Sequence, residues 1–162
     1  MMFSVTACSS DPEGEAETEA INEQIANPAV EYSSLEEAET AAGFELEVPA
    51  APEGYETVVY QVIDGSMIEV IWLNGSYESD NATEAYRIRK AAGTDDISGD
   101  YNDYDEVNKV TINNNQVTMK GNKGKVYVAT WTDGEYTYAV DIDMDWNGLP
   151  ADDVSNIIKA TK

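Results

Sequence analysis

Aspartates recur at every second position in Asp141-x-Asp143-x-Asp145-x-Asn147, and Asp152 stands twelfth counting from Asp141. This spacing copies the ligand positions of a calcium-binding EF-hand loop, in which carboxylate and amide oxygens wrap a hard cation. The sixth position, where the sharp turn needs glycine, is Trp146, and no helix precedes the run. The alternation with apolar residues therefore reads as a half-exposed strand with solvated aspartates. A second acidic group, Asp95, Asp96, Asp100, Asp103 and Asp105, falls in the polar stretch Gly93–Glu106. It would offer oxygens to a hard cation or meet a cationic partner; otherwise the stretch is a mobile, solvated loop. Long loops on rigid scaffolds often carry function, so a functional surface is expected here first.

Paired carboxylates can run glycoside hydrolysis when one is held protonated in an apolar pocket. With 32 acidic residues in the chain, pairing alone identifies no such site. Trp72, Trp131 and Trp146, with ten tyrosines, would suit a sugar-stacking platform, but most lie at core parity on predicted strands, where packing is their use. Histidine is absent, which removes the commonest general base and a common metal ligand. There is no phosphate-binding glycine loop, no Cys/His pair and no nucleophile elbow. Lys120, Lys123 and Lys125 read as a solvated hairpin tip. The expectation is a non-enzymatic protein with no catalytic residues, no cofactor and no resident metal.

Covalent chemistry of another kind centres on Cys8. Val5-Thr6-Ala7-Cys8 fits the bacterial lipobox: an aliphatic residue, two small residues a membrane peptidase can accommodate, then the thiol that carries diacylglycerol. Met1, Met2, Phe3 and Val5 resemble the end of a signal peptide's apolar region. The basic start and full apolar run of a signal are not among them, so residues 1–8 read as a signal remnant, and this chain expressed as written is not expected to be acylated. Behind Cys8 runs a polar stretch with seven acids and no base up to Glu31, too poor in apolar residues to build a core. Residues 9–27 are expected to be a disordered acidic tether, and 28–162 a single domain. No run of about 20 apolar residues marks a transmembrane helix.

The net charge of −23 is unevenly distributed. No Lys or Arg precedes Arg87, while that part holds 19 acids; the remainder sums to −4. A chain so acidic repels phosphate backbones, so nucleic acid is excluded as a partner, and contact with a membrane is expected through a lipid anchor only. The acidity otherwise serves solubility at a crowded surface.

Two helices bracket a run of strands. Ser33 and Glu36 have capping-box spacing at the start of a helix that ends at Gly43. Phe44, Leu46 and Val48 then alternate with glutamates as a short extended segment. From Tyr55 the period is two. Tyr55–Ile63 and Ser66–Leu73 flank Asp64-Gly65, and Asn74-Gly75 gives the next turn. In Glu84–Ala91, Tyr86 and Ile88 face one way and Arg87 and Arg89 the other. Lys109–Ile112, Gln116–Lys120 and Lys125–Trp131 follow, and the last strand carries Tyr136, Tyr138, Val140, Ile142, Met144 and Trp146 on one parity. Pro150–Ala160 closes as a helix whose apolar stripe is Val154, Ile157 and Ile158. The expected architecture is α+β: a curved antiparallel meander sheet of about seven strands, with an N-terminal and a C-terminal helix packed on it.

Three runs carry a resemblance: YSSLEEAETAAGFELEVPAAPEGY from Tyr32, YRIRKAAGTDDISGDY at Tyr86–Tyr101, and TWTDGEYTYAV before the closing helix. In this order they resemble the bacterial domain of unknown function 4367, over about Asn27 to Lys162. The resemblance implies a Gram-positive lipoprotein, or the extracytoplasmic part of an anti-sigma-factor-like membrane protein, and supplies no catalytic residues. The resulting expectation is a lipid-anchored, extracytoplasmic, non-catalytic binding or interaction module, with sensing as one candidate role, whose partner is a cell-envelope protein or glycan. The competing expectations are an envelope glycan hydrolase using paired carboxylates and a cation-binding module.

Overall fold

The structure, a computed structural model, describes residues 28–76, 78–143 and 147–162. Eight strands and two helices follow in the order β1 (Ala29–Tyr32), α1 (Leu35–Ala42), β2 (Thr57–Ile63), β3 (Met67–Asn74), β4 (Thr83–Ala92), β5 (Glu106–Ile112), β6 (Asn115–Asn122), β7 (Lys125–Thr132), β8 (Tyr136–Ile142) and α2 (Ala151–Ala160). They form one antiparallel sheet ordered β1-β2-β3-β4-β8-β7-β6-β5. The α+β class and the two flanking helices are as the sequence indicates. The strands number eight because β1 pairs with β2 through Ala29↔Ile63 and Tyr32↔Tyr60, a non-local partnership. The sheet is two four-strand meanders joined where β4 pairs with β8, and residues 93–105 carry the chain from the sheet's centre to its far edge.

Turn residues set the connections within each meander. Asn113 (φ 49°) and Asn114 (φ 67°) make a two-residue turn in which both central residues have positive φ, closing Ile112 onto Asn115. This geometry matches the right-handed twist of a hairpin, and asparagine tolerates it. Lys123 and Gly124 turn the next hairpin in the same way. Helix α1 begins one residue later than the sequence suggests. Ser34 Oγ accepts from the Glu37 amide, while Glu37 reaches back to Ser33, so the capping pair is Ser34 and Glu37 rather than Ser33 and Glu36. Both pairs have the required spacing, and the adopted one buries Ala38 against the sheet.

The strand register fixes two faces. On one, Val70, Ile88, Val140, Ala129 and Met119 lie side by side, and Ala38, Val154, Ile157 and Ile158 of the helices pack over them. Trp72 tilts against Tyr86 with ring centroids 4.8 Å apart, and Trp131 stacks on Tyr138 at 5.0 Å. These two tryptophans are core residues rather than a sugar platform, at 1% and 6% exposure. Trp146, Met144 and Asp145 lie outside the described residues.

One cation shares this apolar face. Lys90 stands beside Tyr138 and is buried beneath the rings of Phe44, Tyr136 and Tyr138, with Nζ 4.6 Å from the Tyr136 centroid. It donates to the Glu45 carbonyl at 2.6 Å. Burial lowers its pKa, against the pull of Asp133, Glu39 and nearby glutamates. The Phe44–Val48 segment is irregular rather than a strand: Leu46 plugs the core, and Glu47 exchanges two backbone hydrogen bonds with Lys162.

Where β6 meets β7, a bulge at Lys120/Gly121 brings Gly121 against the facing strand. A Cβ there would lie 1.8 Å from the Lys125 carbonyl oxygen, and backbone rather than a movable side chain is in the way. Gly121→Ala is therefore expected to cost about 3 kcal/mol in urea unfolding. An unchanged unfolding midpoint would contradict this close approach.

Candidate functional site

The second face of the sheet is polar where it meets loop 93–105. Strand alternation turns Arg87 and Arg89 away from Tyr86, Ile88 and Lys90. The register then sets Glu69 of β3 opposite Arg89, and Asp141 of β8 opposite Arg87. Small or branched neighbours (Ile71, Ala139 and Val128) complete a buried patch.

Glu69 is 1% exposed, yet fully engaged. It accepts from Gln61 Nε2 and, at 2.5 Å, from Arg89 Nε, while Arg87 Nη1 stands 3.6 Å away. The other end of Arg89 donates to the carbonyls of Ile97 (3.2 Å) and Ser98. Arg87 is held by Glu84 in a two-pronged pair, Nε to Oε1 at 2.7 Å and Nη2 to Oε2 at 2.5 Å. This partnership raises an already high guanidinium pKa. Among the described residues no buried side-chain nitrogen or oxygen lacks a partner.

Loop 93–105 is largely exposed, as its composition suggests, and is braced by its own aspartates. Asp96 accepts from the Ser98 amide (2.9 Å) and hydroxyl (2.7 Å); burial would raise its pKa, and these bonds outweigh it and leave the pKa low. Asp100 accepts from the Asn102 amide (2.9 Å) and from the Tyr104 hydroxyl (2.6 Å). Burial, then that bond to Asp100, pushes the Tyr104 phenol up to about 12. Tyr104 stacks on Tyr127 of β7 with centroids 6.0 Å apart, and Asn122 accepts from the Asp105 amide at 2.7 Å.

Between the loop and the sheet lies a cleft of about 650 Å³. Arg87, Arg89 and Asp141 line it from the sheet, Asp100, Asp103 and Tyr104 from the loop, and Asp143 and Tyr127 lie alongside. Asp141 is the distinctive titratable group. Its Oδ2 is 3.6 Å from Arg89 Nη1 and its side chain is 22% exposed. Burial raises its pKa to about 7 despite Arg89 and Arg87, with Asp100 and Glu84 adding to the rise.

Of the sequence's candidates, the structure brings Asp141, Asp143, Asp100 and Asp103 to one cleft. Asp141 lies within β8, one residue before its end, Asp145 is outside the described residues, and Asp152 lies in the first turn of α2. Among the described residues no group of three or more acidic or cysteine side chains is arranged to hold a metal ion. Cys8 lies outside the described residues. Sequence reasoning did not find Glu69, although a lone charge within the apolar run Met67–Leu73 was a signal. Nor did it find Glu84 or Tyr127, whose roles depend on tertiary register.

Asp141 also fixes a pH dependence. A carboxyl whose folded-state pKa exceeds its unfolded one holds its proton more tightly when folded, so stability falls as pH rises between the two values. Here the window runs from the ordinary aspartate value near 4 to about 7. Asp141→Asn stays neutral throughout. In urea unfolding it should therefore gain on the unmodified protein by about 1 kcal/mol or more between pH 4 and pH 8. Parallel pH profiles for the two proteins would overturn the assignment.

No family model, curated protein or solved structure matches this chain, so the cleft's own chemistry carries the functional reading.

Proposed function

We propose that this chain is a non-catalytic binding module of the outer bacterial surface, and that the cleft under loop 93–105 receives its ligand. The observation that carries the reading is the condition of the two arginines. Glu84 and Glu69 and the loop carbonyls already engage them, so what the cleft adds for a ligand is the remaining acceptor capacity of its carboxylates, of which Asp100 is bonded to Tyr104 and Asp141 lies 3.6 Å from Arg89, together with the Tyr104–Tyr127 pair. Such a lining disfavours phosphate and other anions. It suits a neutral or cationic polar group, which carboxylates attract and ring faces stack upon. An envelope glycan with free amino groups, or a basic segment of an envelope protein, fits this description. The lipobox at Cys8, the acidic stretch 9–27 and the resemblance to domain of unknown function 4367 support a lipid-anchored, extracytoplasmic setting.

Asp141 supports a second reading, an envelope glycan hydrolase. A carboxyl with a pKa of about 7 is suited to donate a proton to a leaving group. Its partner would be Asp100 or Glu84, although Glu84 is committed to Arg87 and Asp100 to Tyr104.

Titration with a glucosamine tetramer, its N-acetylated counterpart and inorganic phosphate, followed by calorimetry, tests the proposal. Saturable binding of the glucosamine oligomer is expected, weakened about tenfold by Tyr127→Ala. Binding of phosphate alone, or no binding by any probe, would reject it. Release of reducing ends from purified peptidoglycan, abolished by Asp141→Asn, would put the hydrolase in its place.

A further inference from the structure

The sheet has two edges, and they are unlike. Strand β1 has four residues, follows Pro28 and carries Glu31, features that blunt an edge. Strand β5 has seven residues, pairs with β6 without a bulge and contains no proline. Five consecutive residues, Val107–Thr111, are exposed, and Val107 reaches 58%. Because the Asn113-Asn114 turn closes Ile112 onto Asn115, that pair is hydrogen-bonded, and the alternation of an antiparallel ladder follows from it. Val110 and Asn108 then bond inward to β6. The N–H and C=O groups of Val107, Lys109 and Thr111 point outward from the sheet.

Charge distinguishes this edge as well. The chain carries −23, yet Lys109 of β5 lies diagonal to Lys120 of β6, two residues along on the same face, and Lys123 and Lys125 sit at the adjoining hairpin tip. The one carboxylate of β5, Glu106, is taken by the Gly124 amide at 3.1 Å. Asp96 of loop 93–105 lies within electrostatic reach of Lys120 and Asp105 precedes the strand, so the cation that this edge presents to a partner is Lys109. A second copy fits poorly: the molecules repel, and a two-fold pairing about Lys109 or Val110 sets the Lys109 side chains opposite or diagonal to each other.

We infer that β5 is a docking edge for an extended acidic segment of a partner protein, which adds as a ninth strand. The outward groups of Val107, Lys109 and Thr111 supply the ladder, and Lys109 selects a carboxylate side chain. This surface lies on the sheet's edge and does not depend on the ligand of the cleft.

Amide hydrogen exchange on the full chain tests this, with acetylated six-residue peptides alternating valine or threonine with glutamate, and the same peptides carrying lysine instead. In the free protein the Val107, Lys109 and Thr111 amides should exchange rapidly. Millimolar acidic peptide should slow them about tenfold, and about 1 M salt should reverse the effect. The lysine peptide should leave them unchanged. Lys109→Glu should abolish the response, as should Thr111→Pro, which removes only an outward donor. Should the proline variant fail to fold, Lys109→Glu decides alone. Equal responses to both peptides, no slowing with either, or amides already protected in the free protein would each overturn the inference. The last result would mean that this chain or a second copy occupies the edge.

Discussion

The buried pair of Glu69 and Arg89 is the constraint on which the second face of the sheet depends. Residues 93–105 must cross from β4 to β5 past β8, β7 and β6, where Ala139 and Val128 form a buried patch. Covering that patch removes carbonyls from water, and each needs a donor. Arg89 supplies donors to Ile97 and Ser98, and Glu69 holds the guanidinium in place to do so. Such a pair need not add much net stability, because both charges lose hydration; removing one member alone is what costs, at about 3–5 kcal/mol. Its contribution is to specify one loop position. Gly99 records the same constraint: it lies at φ +69°, and a Cβ there would come within 3.0 Å of Arg89 Nη1.

The next residue along β4 performs the matching task on the other face. Lys90 points into the aromatic side of the core and fastens the Glu45 carbonyl, so that the irregular segment after α1 is drawn down with Phe44 and Leu46. Consecutive cations on one central strand thus hold irregular chain on opposite faces of the sheet. Both sit where strand alternation would otherwise place apolar side chains, and both are bonded to backbone oxygens.

What was legible in the sequence follows from how local its cause is. The period-two runs, the Asp64-Gly65 turn and the stripe Val154, Ile157 and Ile158 depend on near neighbours, and the structure has them. Strand β1 was hidden, because AVEY is four residues with no alternating pattern and its partner is remote. The cleft was half visible. Its acidic loop stood out by composition, and Asp141 by spacing, but their meeting depends on β4 pairing with β8. Lys90 could not be read as a core residue, because nothing in RIRKAA shows that three rings will enclose it. The aspartates of loop 93–105 looked available to solvent or a cation, whereas Asp96 and Asp100 are occupied in holding the loop itself.

The division into two meanders has a kinetic consequence. Within β2–β4 and within β5–β8, each strand pairs with its neighbour in sequence, so those contacts close short segments of chain. The seam is different: Ile88 meets Val140 across about 50 residues. Among the strand pairings, the largest entropic cost of loop closure therefore falls on this one. Each half can assemble its hairpins early and quickly, and the rate of reaching the native state then depends on docking β4 against β8. Because Asp141 lies on that seam, the cleft exists only once β4 and β8 have paired.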